Sequence, residues 1–141
     1  MVANRIERER DVETPGFAWL VGLAAWAIPG AGHLIQKRWI RGLLGGGAVW
    51  VMFLTGLWLG GYLSAVTGQE PGLTIFFKLL PMIANIGVGL AYVFCWIMNI
   101  GFTEHHQLVT SEYGWAFLLV AGLLNYLVML DAFDIAAGRK Q

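Results

Sequence analysis

With a single cysteine, Cys95, inside an apolar run, the chain has no disulfide framework, no CxxC redox pair and no zinc knuckle. Charge is scarce too: only 13% of its 141 residues are Asp, Glu, Lys or Arg, against 57% hydrophobic residues, and a water-soluble surface cannot be built from that stock. No sign of charge dominates, because nine Lys and Arg balance nine Asp and Glu. That balance offers neither a basic footprint for nucleic acid nor an acidic tail for basic partners. HExxH, a phosphate loop and a nucleophile triad are all missing, so no catalytic residue is assigned and no cofactor is predicted.

What the chain does have is long apolar runs. A membrane span needs about 20 mostly apolar residues to cross about 30 Å of hydrocarbon, and four stretches meet that length: 17–36, 40–63, 76–102 and 113–135. They are continuous rather than alternating, which favours helices over barrel strands. The expectation is an all-α membrane bundle of about four transmembrane helices. It forms a single domain over 15–141, preceded by a polar tail at 1–14. Thr14-Pro15 supplies a capping hydroxyl and a first-turn proline for the first helix. Thr110 or Ser111 caps the fourth span, and Gly138 closes it with Arg139 and Lys140 beside the negative end of its dipole. Ala25-Trp26-Ala27 has the small-x-small form of a signal cleavage site. The leader RIERERDVE mixes acids with its bases, however, so the first span is read as retained.

Four crossings put both termini on one face. That face then carries Arg5, Arg8, Arg10, Arg139 and Lys140, and the other carries Lys37, Arg38 and Arg41. The count favours cytoplasmic termini. If instead the first segment were a re-entrant half-helix turning back at Pro29, the tail and the Lys37 cluster would share a face. Trp39, Tyr113 and Trp115 are expected at one interface and Trp19, Trp58 and Tyr62 at the other, with Trp96 and Tyr126 deeper.

Packing residues are legible from glycine spacing. Gly42 and Gly46 form one small-xxx-small pair and Gly56 and Gly60 another, 14 residues on, so the two pairs share a stripe about four turns apart. Ala18 with Gly22, and Gly87 with Ala91, repeat the spacing. Pro29 removes a backbone donor and Gly30 loosens the chain beside it, so the first helix is expected to be kinked or broken there. A polar ring and freed carbonyls are costly in hydrocarbon, which turns His33 toward protein. Gln36, Glu104 and His105 are its expected neighbours.

Three further groups carry polar chemistry. Glu104, His105 and His106, with Glu112 and His33, are the weak candidates for a metal or haem site, although adjacent histidines on a helix diverge by about 100°. Asn85, Tyr92 and Asn99 recur at sevens on the third span and face Asn125 on the fourth, as interhelical hydrogen-bonding residues. Asp131 and Asp134 oppose the dipole of the last helix and call for a cation, from Arg139, Lys140 or the N-terminal arginines.

The stretch Pro29-Gly30-Ala31-Gly32-His33, followed by Gln36, Lys37, Arg38, Trp39, Arg41 and Gly42, resembles a segment of small four-span bacterial membrane proteins of unknown function. These are distantly similar to the two-span "TM-two" domain. Glu112-Tyr113-Gly114, Ala121-Gly122-Leu123-Leu124-Asn125 and Asp131-Ala132 resemble the last span of the same proteins. The resemblance implies a bundle and assigns no reaction.

Three function classes are compatible with these residues. One is a non-enzymatic accessory or scaffold subunit that contacts lipid and other membrane subunits or copies of itself. A second is an oligomeric small-solute or ion transporter, although no inverted repeat stands out in the sequence. The third is a histidine-dependent metal or haem membrane protein.

Overall fold

The computed structural model describes residues 15–65, 72, 74–102 and 109–139. Among these residues there are six helices and no strand: α1 (Pro15–Ala27), α2 (Ala31–Ile35), α3 (Trp39–Trp58), α4 (Thr74–Ile86), α5 (Leu90–Met98) and α6 (Ser111–Ala136). The polar tail at 1–14, residues 66–71 and the Glu104, His105 and His106 group lie outside the described residues.

Only α3 and α6 are by themselves long and apolar enough to cross a membrane. α4 and α5 reach that length only together, and they are bent by 114° at their junction. α1 has 13 residues, a rise of about 20 Å against the 30 Å of hydrocarbon. Among the described residues an all-helical arrangement with two or three candidate spans is therefore observed where four continuous spans are expected.

The first difference arises at Pro29. Its ring supplies no N–H, and Gly30 follows with φ 88°, a left-handed conformation that only glycine adopts without cost. The chain then folds back. A Cβ placed on Gly32 would lie 2.6 Å from Ala25 Cβ and 2.9 Å from the Val21 carbonyl oxygen, whereas in a continuous helix residue 32 would sit about 10 Å beyond residue 25. α1 and α2 are thus the two arms of a helical hairpin. The return arm ends in a Schellman-type closure, with Lys37 N–H donating to Leu34 O at 3.0 Å and Arg38 N–H to His33 O at 2.9 Å.

α3 then runs the length of the bundle antiparallel to α6, with Gly45 against Val128 at one end and Gly56 against Leu118 and Gly114 at the other. The second hairpin enters from the opposite end. Phe77, Lys78 and Pro81 of α4 share a cavity with Tyr62, Phe102 and Trp115, and α4 stops at Ile86 beside the middle of α6. Gly89, with φ 77°, opens α5, which returns so that Gly101 lies against Leu57 and Leu63. Each half of the chain is therefore a hairpin followed by a long helix, and the two halves run in opposite senses. This inverted order is carried by backbone direction and leaves no repeat in the sequence.

Opposed hairpins reorder the expected faces. Tyr62 stacks on Trp115 with ring centroids 6.1 Å apart and planes inclined by 20°. Trp19 meets Phe133 near the end of α6, at 5.2 Å. Tyr62 and Trp115, expected on opposite interfaces, share one end of the bundle, while Trp19 and Trp39 lie at the other. The seven-residue stripe of Asn85, Tyr92 and Asn99 does not exist as one face, because the break at 87–89 separates Asn85 from the others and Asn99 is the exposed, left-handed residue closing α5. Gly42, Gly46 and Gly56 are buried on α3, but Gly60 lies beyond its last turn with φ 78°. One core cluster, around Val49, Phe53, Val88, Tyr92, Leu118 and Ala121, joins α3, α5 and α6. A second, of Ala18, Val21, Ala25, Ala132 and Ala136, seats α1 on α6.

Candidate functional site

Two polar centres lie along α6. The deeper one is where the hairpin tips meet. Asn125, fully buried at mid-helix, donates from Nδ2 to the Trp26 carbonyl at 3.1 Å and to the Gly87 carbonyl at 2.7 Å. Trp26 completes the link by donating its indole N–H to the Ile86 carbonyl at 3.1 Å. A broken helix exposes carbonyls that cost several kcal/mol each in an apolar interior unless they are partnered. One amide and one indole satisfy three of them, from both hairpins at once. Close approach makes this possible, because a Cβ on Gly89 would run into the Trp26 carbonyl oxygen and one on Gly122 into that of Ala84. Asn125 thus bonds to backbone rather than to the amides of the third segment. Asn85, also fully buried, has no side-chain partner among the described residues, and the same is true of Asn125 Oδ1.

The second centre lies toward the C-terminal end of α6. His33, 2% exposed, places Nε2 3.0 Å from Asp131 Oδ2. Gln36 donates from Nε2 to the Ala132 carbonyl at 2.8 Å and to the Gly32 carbonyl at 3.2 Å. Together they fasten the return arm α2 to α6. The expectation that His33 faces protein agrees with this position, but its partner is Asp131. Glu112 is in the first turn of α6, at the opposite end of that helix from Asp131 and His33, so the structure does not bring these two metal candidates together. Arg139 lies 3.7 Å from Asp134 through Nη1.

These groups have little capacity for metal or cofactor chemistry. Among the described residues no three His, Cys, Asp or Glu side chains gather in one place, and His33 with Asp131 falls short of the three protein ligands a catalytic zinc requires. Glu104, His105 and His106 lie outside the described residues. At the other end of the bundle, a cavity of about 300 Å³ is lined by Tyr62, Ser64, Lys78, Pro81, Phe102 and Trp115. There Tyr92 donates its hydroxyl to the Ser64 carbonyl at 2.9 Å.

Sequence reasoning missed Trp26 as a donor and Gly89 and Gly122 as contact points. The signal for Gly89 was present in Gly87-Val88-Gly89, a pair of helix-weakening residues inside an apolar run. Nothing local marks Trp26, whose role depends on a contact 60 residues away.

No curated protein and no solved structure matches the chain. A family model matches residues 20–141, from within α1 through the end of α6, and the chain therefore belongs to DUF6677, a family of unknown function.

Proposed function

We propose that this is a non-enzymatic, multi-pass membrane protein that serves as an accessory or scaffold subunit of a larger membrane assembly. The observation that carries this reading is the use made of its interior polar groups. Asn125, Trp26, His33, Asp131 and Gln36 are engaged in fastening two hairpins to α6, which leaves no constellation of acid, base and nucleophile in a cleft among the described residues. The exterior supports the same reading, since two grooves on it are apolar. One, of about 440 Å³, lies between α1 and α6 beside Trp19, Leu23 and Met129. The other, of about 530 Å³, lies beside Trp50, Leu54 and Phe94. A pull-down of the tagged full chain in mild detergent, read by mass spectrometry, tests it. Recovery of a reproducible set of larger membrane proteins is the expected result, and recovery of the chain alone contradicts it.

In this reading α3 and α6 cross the bilayer, and the two hairpins dip in from opposite faces, in place of four full crossings. The supporting argument is the distribution of cations. The face that holds the α2–α3 turn and the end of α6 carries Lys37, Arg38, Arg41 and Arg139, and the sequence flanks that continue from it add Arg5, Arg8, Arg10 and Lys140. Lys78 is left for the other face. Such asymmetry assigns the basic face, with both termini, to the cytoplasm, and an inner bacterial membrane is the setting that fits the resemblance of the Pro29 to His33 segment to small four-span bacterial membrane proteins.

A transporter is the second reading, favoured by one observation: half-helices from opposite faces meeting at a buried polar junction resemble the broken helices of solute pathways. Solute or ion flux into liposomes that disappears with Asn125→Leu supports this alternative, and an absence of flux leaves the scaffold reading.

A further inference from the structure

We propose that the turn between α2 and α3 is a binding site for the anionic headgroups of membrane phospholipids. Three cations, Lys37, Arg38 and Arg41, fall within five residues, and none of their side chains makes a hydrogen bond or ion pair among the described residues. They surround the start of α3, one of the two helices long enough to span the bilayer. Arg38, at its N-cap, gives the first turn no side-chain cap, so the positive end of the helix dipole adds to the same field.

Lys37 supplies an independent argument. It is the residue that closes α2 in the left-handed region, with φ 58°, where glycine is favoured and a β-carbon is strained. Glycine is common in this chain, with 19 occurrences, yet a lysine stands at this left-handed position; the other non-glycine residue at positive φ among the described residues is Asn99, an amide that tolerates the conformation where a lysine does not. Backbone strain retained at an exposed position points to a requirement for the side chain.

The surroundings identify the ligand as lipid. Ile35, Trp39 and Ile40 are 52%, 67% and 77% exposed around the three cations, so hydrocarbon contact and positive charge coincide. A soluble anion uses only the charge, whereas an anionic phospholipid places phosphate on the cations and acyl chains along Ile35 and Ile40, with Trp39 at headgroup level. The proposal rests on the chain spanning a membrane but not on its having protein partners, so the pull-down above can fail without affecting it.

The test uses the full chain in nanodiscs of phosphatidylcholine with or without phosphatidylglycerol, reading lipid retention by native mass spectrometry and the thermal midpoint. Each cation near a membrane surface contributes about fivefold in affinity. The triple variant K37Q/R38Q/R41Q should therefore retain phosphatidylglycerol roughly 100-fold less well. Lys37→Gly gives a two-signed result that a misfolded variant cannot imitate: a higher thermal midpoint in pure phosphatidylcholine, because strain is relieved, and about fivefold weaker retention of phosphatidylglycerol. Equal retention of phosphatidylglycerol by wild type and triple variant overturns the proposal. So does stabilisation of the detergent-solubilised protein by inorganic phosphate alone to the same extent as by phosphatidylglycerol, which would make this a site for free anions.

Discussion

The first hairpin, α1–α2, turns on Pro29 and Gly30, and its return arm of five residues is held by side chains: His33 on Asp131 and Gln36 on the Ala132 carbonyl. The second, α4–α5, turns on Gly87 and Gly89 without a proline at the tip. Its nine-residue return arm is almost wholly apolar, with Tyr92 donating to Ser64. A short arm buries too little apolar surface to hold itself and needs polar fastenings. A longer arm is held by packing, as Val88, Tyr92 and Cys95 are in the core around α3 and α6. Among the described residues the two hairpins meet at their tips, through Gly89, Trp26 and Asn125.

The largest expected effect is at that shared point. Gly89→Ala places a Cβ against the Trp26 carbonyl in a positive-φ conformation. It should destabilise the bundle by about 3 kcal/mol, seen as a lower thermal midpoint in detergent. Gly47→Ala, where an added Cβ meets nothing within 4 Å, should be neutral or mildly stabilising by comparison. Equal losses for the two would dissolve the distinction between tip and exterior.

Next comes Asn125→Leu, which removes donors from both tips at once. A loss of about 2 kcal/mol is expected from two interhelical bonds and the carbonyls they leave. Hydrogen exchange should rise at both 26–30 and 86–90, and a rise at one tip only would show that Asn125 does not couple the hairpins.

A smaller, one-sided effect is expected from Asp131→Ala. The carboxylate is 34% exposed at the side chain, and losing its bond to His33 should cost about 1–2 kcal/mol. Exchange at 31–36 should increase while 90–98 stays protected; increased exchange in both arms would mean the two hairpins are not separately fastened.

How much of this was legible in the sequence follows the same division. The proline break was readable because Pro29 removes a donor wherever it stands, and with it the inward turn of His33. The glycine break at 87–89 was not, since glycine is tolerated inside membrane helices and Asn85, Tyr92 and Asn99 kept a helical period across it. Composition and run length indicated an apolar helical bundle, but run length counts residues and not direction. A run of 27 residues at 76–102 reads alike whether it crosses or doubles back. The site residues divide likewise. His33 and Asn125 were visible as polar groups in apolar surroundings, while their partners, Asp131 and two backbone carbonyls, depended on which ends of the chain meet.

Opposed hairpins, rather than four crossings, make one prediction that the alternative reverses. Single cysteines at Lys37, Val109 and Arg139, in a background with Cys95→Ala, can be labelled from either side of the membrane with an impermeant maleimide. With α1–α2 doubling back, positions 37 and 139 should label from one side and position 109 from the other. Labelling of 37 and 109 from the same side, with 139 opposite, would establish a full first crossing and contradict the hairpin architecture.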